Sequence, residues 1–153
     1  MIPSGAILGL DAIKAVAVGE IHEVNIRTQK PPKSLMKASY VLRNSLQLEN
    51  LAEPVCILKG TVNEVAKEFP ANVNVAAAVS LAGLGPDRTT MEIWADPNLE
   101  FNLHTVSVKS DSSNFSMSIQ NRPSEENPAT GRISPQSVIA FLRQRHAVLR
   151  IGT

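Results

Sequence analysis

The chain has 153 residues, of which 43% are hydrophobic and 19% charged, with 15 basic and 14 acidic side chains. One domain of this length buries about two-thirds of the surface that its unfolded chain exposes. A formal net charge of +1 provides neither the basic surface typical of nucleic-acid binding nor a polybasic membrane anchor. Cys56 has no partner for an internal disulfide, and neither an 18-residue apolar run nor a signal peptide is found. We therefore expect a cytoplasmic domain that contacts no membrane.

In the first part of the chain, apolar spacing predicts one helix and one strand. Residues 4–17 carry apolar side chains at helical spacing, and Ser4 is a suitable N-cap. Residues 22–28 alternate as in a half-buried strand. Residues 29–34 contain two prolines and two lysines, so we expect a loop there.

The middle of the chain combines strand and helix patterns. Residues 35–51 allow a short helix, and the compact apolar run at residues 55–59 predicts a strand. Thr61 and Glu64 have the spacing of a capping box, which opens a helix. Residues 72–82 are rich in alanine and valine, which predicts a tightly packed, buried helix.

Three strand patterns follow, at residues 89–95, 99–109 and 114–120. Their short connections predict an antiparallel meander. In the second of these strands, His104 shares one face with Val106, because successive side chains of a strand point to opposite faces.

A last helix is predicted after a loop rich in Pro, Asn, Ser and Gly at residues 121–132. Ser134 is a suitable N-cap, Pro135 favours the first helical position, and apolar residues continue at helical spacing to about Leu149. The order of elements predicts a single domain over residues 1–153. Its fold class is α+β, with a mixed, mostly antiparallel sheet and helices packed on one face.

Short motifs assign no chemistry to this chain. Gly83 and Gly85 are followed by Arg88, so the G-x-G-x-x-G fingerprint of dinucleotide binding is missing, as are a phosphate-binding loop and a G-x-S-x-G elbow. The single cysteine and the three dispersed histidines do not have the spacing of metal ligands. We therefore expect no metal site.

Five short blocks, in the same order, resemble the L-aspartate dehydrogenase family. The blocks are SGAILGLDA at residues 4–12, FPANVNVAA at 69–77, SLAGL at 80–84, NLH at 102–104 with the run to Val108, and ENPAT at 126–130. Proteins of this family carry a nucleotide-binding Rossmann domain followed by a domain of this kind. The resemblance covers residues 2–141 and implies the C-terminal catalytic, substrate-binding and dimerisation domain of a two-domain dehydrogenase. A chain of 153 residues is too short to hold both domains.

His104 is the catalytic residue that the resemblance implies. A single histidine on a strand is more often a packed or surface residue. An imidazole that titrates near neutrality can also accept and donate protons, and the family's active-site histidine stands in the same context. Loss of hydride and a proton from an amino acid leaves an imine that water attacks, and a neutral histidine is suited to those proton transfers.

Asn74 is the cofactor-binding residue that the resemblance implies, and Asn72 takes this place if the match shifts. Both asparagines could equally be caps of the alanine-rich helix. An amide can donate to and accept from the carboxamide of nicotinamide, so the implied cofactor is NAD or NADP, bound mainly by the other domain.

Ser4 and Gly5 are candidates for substrate binding. The predicted helix would start there, and the free N–H groups of a helix N-terminus favour a carboxylate. The alternative is a helix N-terminus with no further role. L-Aspartate carries two carboxylates, so the site also needs cations, and the sequence leaves open the choice between Lys59, Arg122 and Arg132.

The resemblance thus implies an NAD(P)-dependent enzyme that converts L-aspartate through iminoaspartate to oxaloacetate and ammonia, or supplies the imine to NAD biosynthesis. We expect a homodimer that is inactive without the nucleotide-binding domain. The alternatives are a non-catalytic binding or oligomerisation module, and the C-terminal domain of a homoserine dehydrogenase or dihydrodipicolinate reductase.

Overall fold

A five-stranded sheet organises the chain in the computed structural model, which describes residues 2–70, 73–122 and 131–149. Within these residues, no helix has the length and apolar character that crossing a membrane requires. The elements in chain order are α1 (Leu10–Val16), β1 (Ile21–Lys30), α2 (Pro32–Leu35), α3 (Ser39–Arg43), β2 (Val55–Thr61), α4 (Val62–Glu68), α5 (Val73–Ala82), β3 (Thr90–Ala95), β4 (Asn102–Ser110), β5 (Asn114–Asn121) and α6 (Ile133–His146).

The strand order is β2-β3-β1-β4-β5, with β1 at the centre. β1 runs parallel to β3 and antiparallel to β4, and the outer pairs β2–β3 and β4–β5 are antiparallel. The predicted α+β class with a mixed, mostly antiparallel sheet is therefore confirmed. The predicted meander is confirmed for the antiparallel pair β4–β5 and wrong for β3 and β4, because β1 lies between these two strands. Alternation along a strand shows which face a residue occupies, whereas it carries no information about the neighbouring strand.

The core lies on one face of this sheet. Its central strands contribute buried side chains that alternate along each strand, and α1, α4 and α5 add theirs from the opposite side; examples are Val24, Ile26, Met91, Ile93, Val106 and Val108 from the strands and Ile13, Val65 and Val79 from the helices. The other face of the sheet carries polar residues such as Asn25, Arg27 and Glu92. This distribution separates a helix-covered face from an uncovered one.

Two of the predicted helices have the expected ends and packing. At α4, the backbone N–H of Glu64 donates to Thr61 Oγ1 (3.3 Å) and the backbone N–H of Thr61 donates to Glu64 Oε2 (2.7 Å). The capping box is therefore confirmed. α5 packs closely because it presents small side chains, among them the buried Ala76 and Ala78.

The start of the first helix differs from the prediction. α1 begins at Leu10, and Gly5 (φ 63°) and Gly9 (φ 72°) both have left-handed backbone conformations that a right-handed helix does not contain. A side chain at Gly9 would also overlap the side chain of Met117. Ser4 is therefore in a turn, and its predicted role as an N-cap is wrong.

Two further boundaries also differ. β1 continues to Lys30, and α2 replaces the predicted loop, with Pro32 at its first position. A proline has its φ already fixed for that position and lacks the N–H that the first turn leaves unpaired, so adjacent prolines can open a helix. α6 begins at Ile133 after Arg132, rather than at Pro135, and ends at His146.

Candidate functional site

His104 lies on the core-facing side of β4, on the face that it shares with Val106, and is only 7% exposed. It pairs across the strands with Thr28 of β1, which is fully buried. The two side chains contact each other, with 3.0 Å between His104 Nδ1 and Thr28 Oγ1. Within the described residues this is the ring's one hydrogen bond, so the contact fixes the imidazole and leaves Nε2 without a protein partner.

The pKa of His104 is far below that of an exposed histidine. Burial lowers it, and the positive charge of Lys30 lowers it further, from 6.5 to about 4. Because burial disfavours the charged form, the ring is neutral at neutral pH. This corrects the expectation that His104 titrates near neutrality. In the tautomer whose Nδ1–H donates to Thr28 Oγ1, the neutral imidazole can accept a proton at Nε2.

Lys30 is the second ionisable group at this site. It ends β1, two residues beyond Thr28 and on the same face, and it is half-buried. Burial lowers the pKa of its ammonium group. Within the described residues, no carboxylate forms an ion pair with it. Lys30 was not among the predicted site residues because the strand was expected to end at residue 28, although Val24, Ile26, Thr28 and Lys30 continue one alternation.

The turn at residues 4–9 lies at the same end of the sheet. Asn121, the buried last residue of β5, pairs with Asn102 at the start of β4. Its side-chain amide Nδ2 donates to the carbonyl oxygen of Ala6 at 3.0 Å. Asn121 therefore connects this turn to the strand end that carries His104, and it too was missed, since its position fell in a predicted loop.

Ser4 and Gly5 reach this end of the sheet without a helix N-terminus. The backbone N–H of Gly5 donates to Ser137 Oγ in α6, at 3.1 Å. The helix end expected to attract a carboxylate is absent here, and this N–H already has a protein acceptor. Substrate binding by Ser4 and Gly5 stays a prediction that has lost its original physical basis.

One of the two predicted cofactor residues, Asn74, lies in α5. Asn74 is exposed in the first turn of α5, and within the described residues its side-chain amide makes no hydrogen bond. That free amide suits a carboxamide ligand, which needs both a donor and an acceptor. Asn72 lies outside the described residues, as does the ENPAT block at residues 126–130.

The structure separates the three cations that the sequence left open. Lys59 pairs with Glu92 at 3.0 Å on the uncovered face of the sheet, away from His104. Arg122 directly follows Asn121, and its carbonyl oxygen accepts from the backbone N–H of Arg132 at 3.0 Å. The two arginines therefore flank the strand end of the site, and Lys59 does not.

The described ranges 2–70, 73–122 and 131–149 contain no group of three or more His, Cys, Asp or Glu residues that could hold a metal ion. The polar groups around His104 are its own neutral imidazole, the half-buried ammonium group of Lys30 and the side chain of Asn121, and groups of these types can transfer a proton and bind an anion.

Comparisons with known proteins agree on one family. A family model described as "Aspartate dehydrogenase, C-terminal" matches residues 11–145. The chain is 50% identical to the L-aspartate dehydrogenase of Bradyrhizobium diazoefficiens over its whole length, which is 54% of that relative. It is 47% identical to L-aspartate dehydrogenase 3 of Bordetella bronchiseptica, again over the whole chain and 56% of the relative.

A solved structure is similar as well. The crystal structure of aspartate dehydrogenase from Thermotoga maritima superposes with a TM-score of 0.76 at 30% identity. The superposition covers 99% of this chain and 55% of that one. The chain thus spans about half the length of the relatives it matches.

Proposed function

This chain belongs to the aspartate dehydrogenase C-terminal domain family, and from that membership we propose that it is the catalytic and substrate-binding part of an NAD(P)-dependent L-aspartate dehydrogenase. The overall reaction takes L-aspartate, oxidised cofactor and water to oxaloacetate, ammonium, reduced cofactor and a proton, through iminoaspartate. The relatives named L-aspartate dehydrogenase support this substrate over those of homoserine dehydrogenase and dihydrodipicolinate reductase.

The observation that carries the proposal is the buried, neutral His104 held by Thr28. When an amine is oxidised at its carbon, the nitrogen must lose a proton, and the water that attacks the imine must lose another. Both transfers need an acceptor that is uncharged at neutral pH and fixed in place. His104 satisfies both conditions, and Nε2 is the acceptor atom in the tautomer whose Nδ1–H donates to Thr28 Oγ1.

A non-catalytic module is the weaker alternative. A buried neutral histidine next to a half-buried lysine that has no ion pair within the described residues is unfavourable for stability. Apolar residues would fill these positions better if packing were their role. Groups of this kind are typical of functional sites.

A nicotinamide cofactor, when bound, supplies the acceptor for the hydride that leaves the substrate carbon. Asn74 would hold its carboxamide, because the free side-chain amide offers two donors and one acceptor. Since most cofactor contacts are expected from the other domain, we propose that this chain is inactive alone. Cytoplasmic location, a role in NAD biosynthesis and the choice between NAD and NADP stay predictions.

We also propose that the chain forms a homodimer through the uncovered face of its sheet. No helix of the described part covers that face, which exposes parts of Arg27, Lys59 and Trp94. Analytical ultracentrifugation of the chain, and of a Thr105→Arg variant in the middle of this face, tests it. A monomer at all concentrations would contradict the proposal.

The proposed activity is tested in a chimera. The chain is fused behind the N-terminal part of the Bradyrhizobium relative that it does not cover, and aspartate-dependent cofactor reduction is followed. We expect turnover by the chimera, none by the 153-residue chain alone, and a loss of at least about a hundredfold on His104→Ala, as is typical for removal of a general base. A folded chimera that binds cofactor and does not oxidise aspartate would refute the proposed function.

A further inference from the structure

Lys30 and His104 occupy neighbouring positions on the core-facing side of the sheet. Thr28 lies directly opposite His104 in the β1–β4 pair, and Lys30 is the next residue of β1 on that side. Such diagonal neighbours are about 7–8 Å apart at their backbones, which a long side chain can span. The ammonium group of Lys30 is close enough to act electrostatically on the imidazole.

Among the lysines of the sheet, Lys30 is the one for which the described residues provide no counter-ion. Lys59 contacts Glu92 at 3.0 Å and Lys109 contacts Glu23 at 2.7 Å, and both of these lysines are well exposed. Lys30 is half-buried, and no acidic group of the described residues pairs with it. A partly desolvated charge without a partner is unfavourable, so an anion that reached this position would be bound.

The acidic residue next to this strand end is already engaged. Asp96 follows β3, and its backbone N–H donates to the carbonyl oxygen of Lys30 at 2.8 Å. Its carboxylate accepts from Gln29 Nε2 at 2.9 Å and from the backbone N–H of Asn98 at 2.9 Å. Both carboxylate oxygens of Asp96 thus have hydrogen-bond donors other than Lys30.

We propose that Lys30 is the residue that binds a carboxylate group of the substrate and holds it beside His104. The identity of the ligand as a four-carbon dicarboxylate rests on the proposed function. The anion site itself follows from a half-buried ammonium group that has no acidic partner in the described part of the chain, and from its place on the strand.

The site also couples binding to proton transfer. Within the described residues, Lys30 is the charged group that acts on His104. The neighbours of His104 on the strands, Val106 along β4 and Ile119 opposite it in β5, are apolar. A bound carboxylate cancels the charge of Lys30, which removes one of the two causes that depress the pKa of the imidazole. Substrate binding therefore makes His104 a stronger proton acceptor at the moment when it is needed.

Nuclear magnetic resonance of the 153-residue chain tests this directly, with succinate as the probe and neutral succinamide as its control. The His104 imidazole signals are followed in pH titrations with and without succinate. In the unaltered chain, we expect succinate to bind and to raise the pKa of His104, and succinamide to do neither. Lys30→Met should weaken succinate binding by about tenfold or more, because a charge-assisted hydrogen bond is lost.

Three comparisons make the test specific to this lysine. Lys30→Met should raise the pKa of His104 even without succinate, because the repelling charge is gone. Lys30→Arg keeps the charge and should retain binding. Lys33→Met removes an exposed lysine from α2 and should change neither quantity. Circular dichroism confirms that each variant is folded.

Succinate binding that is absent from the unaltered chain, or equal in the unaltered and Lys30→Met chains, would overturn the proposal. These outcomes are independent of the dehydrogenase assignment. Lys30-dependent succinate binding together with an inactive chimera rejects the proposed function alone. If the chimera is active but succinate binding does not depend on Lys30, only the proposed role of Lys30 is rejected.

Discussion

The Nδ1 atom of His104 lies 3.0 Å from the Oγ1 atom of Thr28, on directly opposed residues of the two central antiparallel strands. Thr28 is 0% exposed and His104 is 7% exposed, so water does not replace either partner. The contact ties the orientation of the imidazole to the pairing of β1 with β4. The position of the proposed proton acceptor is thus set by the sheet itself.

Replacing Thr28 by Val removes the hydroxyl group and leaves the shape of the side chain nearly unchanged. His104 Nδ1 then lacks its partner in a buried position, and we expect a decrease of about 1–3 kcal/mol in the free energy of unfolding. Thr28→Ser keeps the hydroxyl group and should lose less. Urea unfolding measures both, and equal stability of the Val variant and the unaltered chain would show that the contact contributes nothing.

The depressed pKa of His104 predicts a pH dependence of stability. Its pKa is about 4 in the folded chain and about 6.5 when exposed, so the unfolded chain binds more protons between these values. The free energy of unfolding should therefore fall as the pH is lowered from 6.5 toward 4, by up to roughly 1.4 kcal/mol per pH unit. Below pH 4 this contribution does not change further.

Denaturant unfolding at a series of pH values measures this dependence. His104→Gln should flatten the curve between pH 6.5 and 4.5, whereas His22→Gln, on an exposed part of β1, should leave it unchanged. The same slope in the His104→Gln chain would mean that other groups cause it.

Glu92 is expected to control the pH dependence of stability in a second, more acidic pH interval. Its side chain is 6% exposed on the uncovered face of the sheet and accepts from Trp94 Nε1 (2.8 Å), Lys59 Nζ (3.0 Å) and Arg27 Nε (3.1 Å). Burial alone would raise its pKa, but these contacts lower it to about 2, from 4.5. Its contribution to stability is present above pH 4.5 and is lost as the pH falls toward 2.

Glu92→Gln should therefore destabilise the chain by about 1–3 kcal/mol at pH 7, since Arg27 and Lys59 lose a charged acceptor. The matched control is Glu23→Gln, which breaks an exposed pair with Lys109 and should change stability by less than about 1 kcal/mol. Thermal unfolding at pH 7 compares the two. If both substitutions change stability by the same amount, the Glu92 contacts contribute no more than an ordinary surface ion pair.

Gly9 and Gly5 form a natural pair for testing backbone strain and close packing separately. Both have positive φ, so alanine at either position is strained by about 1–2 kcal/mol. At Gly5 no atom lies within 4 Å of the added carbon, whereas at Gly9 it overlaps Met117. Gly9→Ala should lower the melting temperature more than Gly5→Ala, and adding Met117→Ala should remove part of that excess. Equal effects of the two single substitutions would show that Met117 moves aside freely.

The sequence predicted that His104 shares one face of β4 with Val106, because the alternation is regular, and left open which face meets the core. It did not predict the length of β1, since two prolines and two lysines outweighed the alternation that reaches Lys30. The end of that strand holds the cation of the site. The prolines and lysines around this strand end are therefore the reason why Lys30 was not predicted as part of β1.

Two other features depend on information that a local pattern does not contain. The left-handed backbone at Gly5 and Gly9 interrupts an apolar spacing that is otherwise helical. The placement of β1 between β3 and β4 depends on which faces and edges complete one core, and hydrophobic alternation is the same for every strand order. Both errors arise from tertiary packing that overrides local preference.

The central place of β1 has a kinetic consequence. Thr28 and His104 are separated by 76 residues, and Asn25 and Thr90 by 65, whereas the β4–β5 hairpin is local. Closing long loops is slow, so we expect that hairpin to form early and the pairing of β1 with both neighbours to come late. In a partly synthesised or partly folded chain, His104 would then be present without the contact to Thr28 that orients its imidazole. The site at His104 would become able to transfer protons only with the last cooperative step of folding.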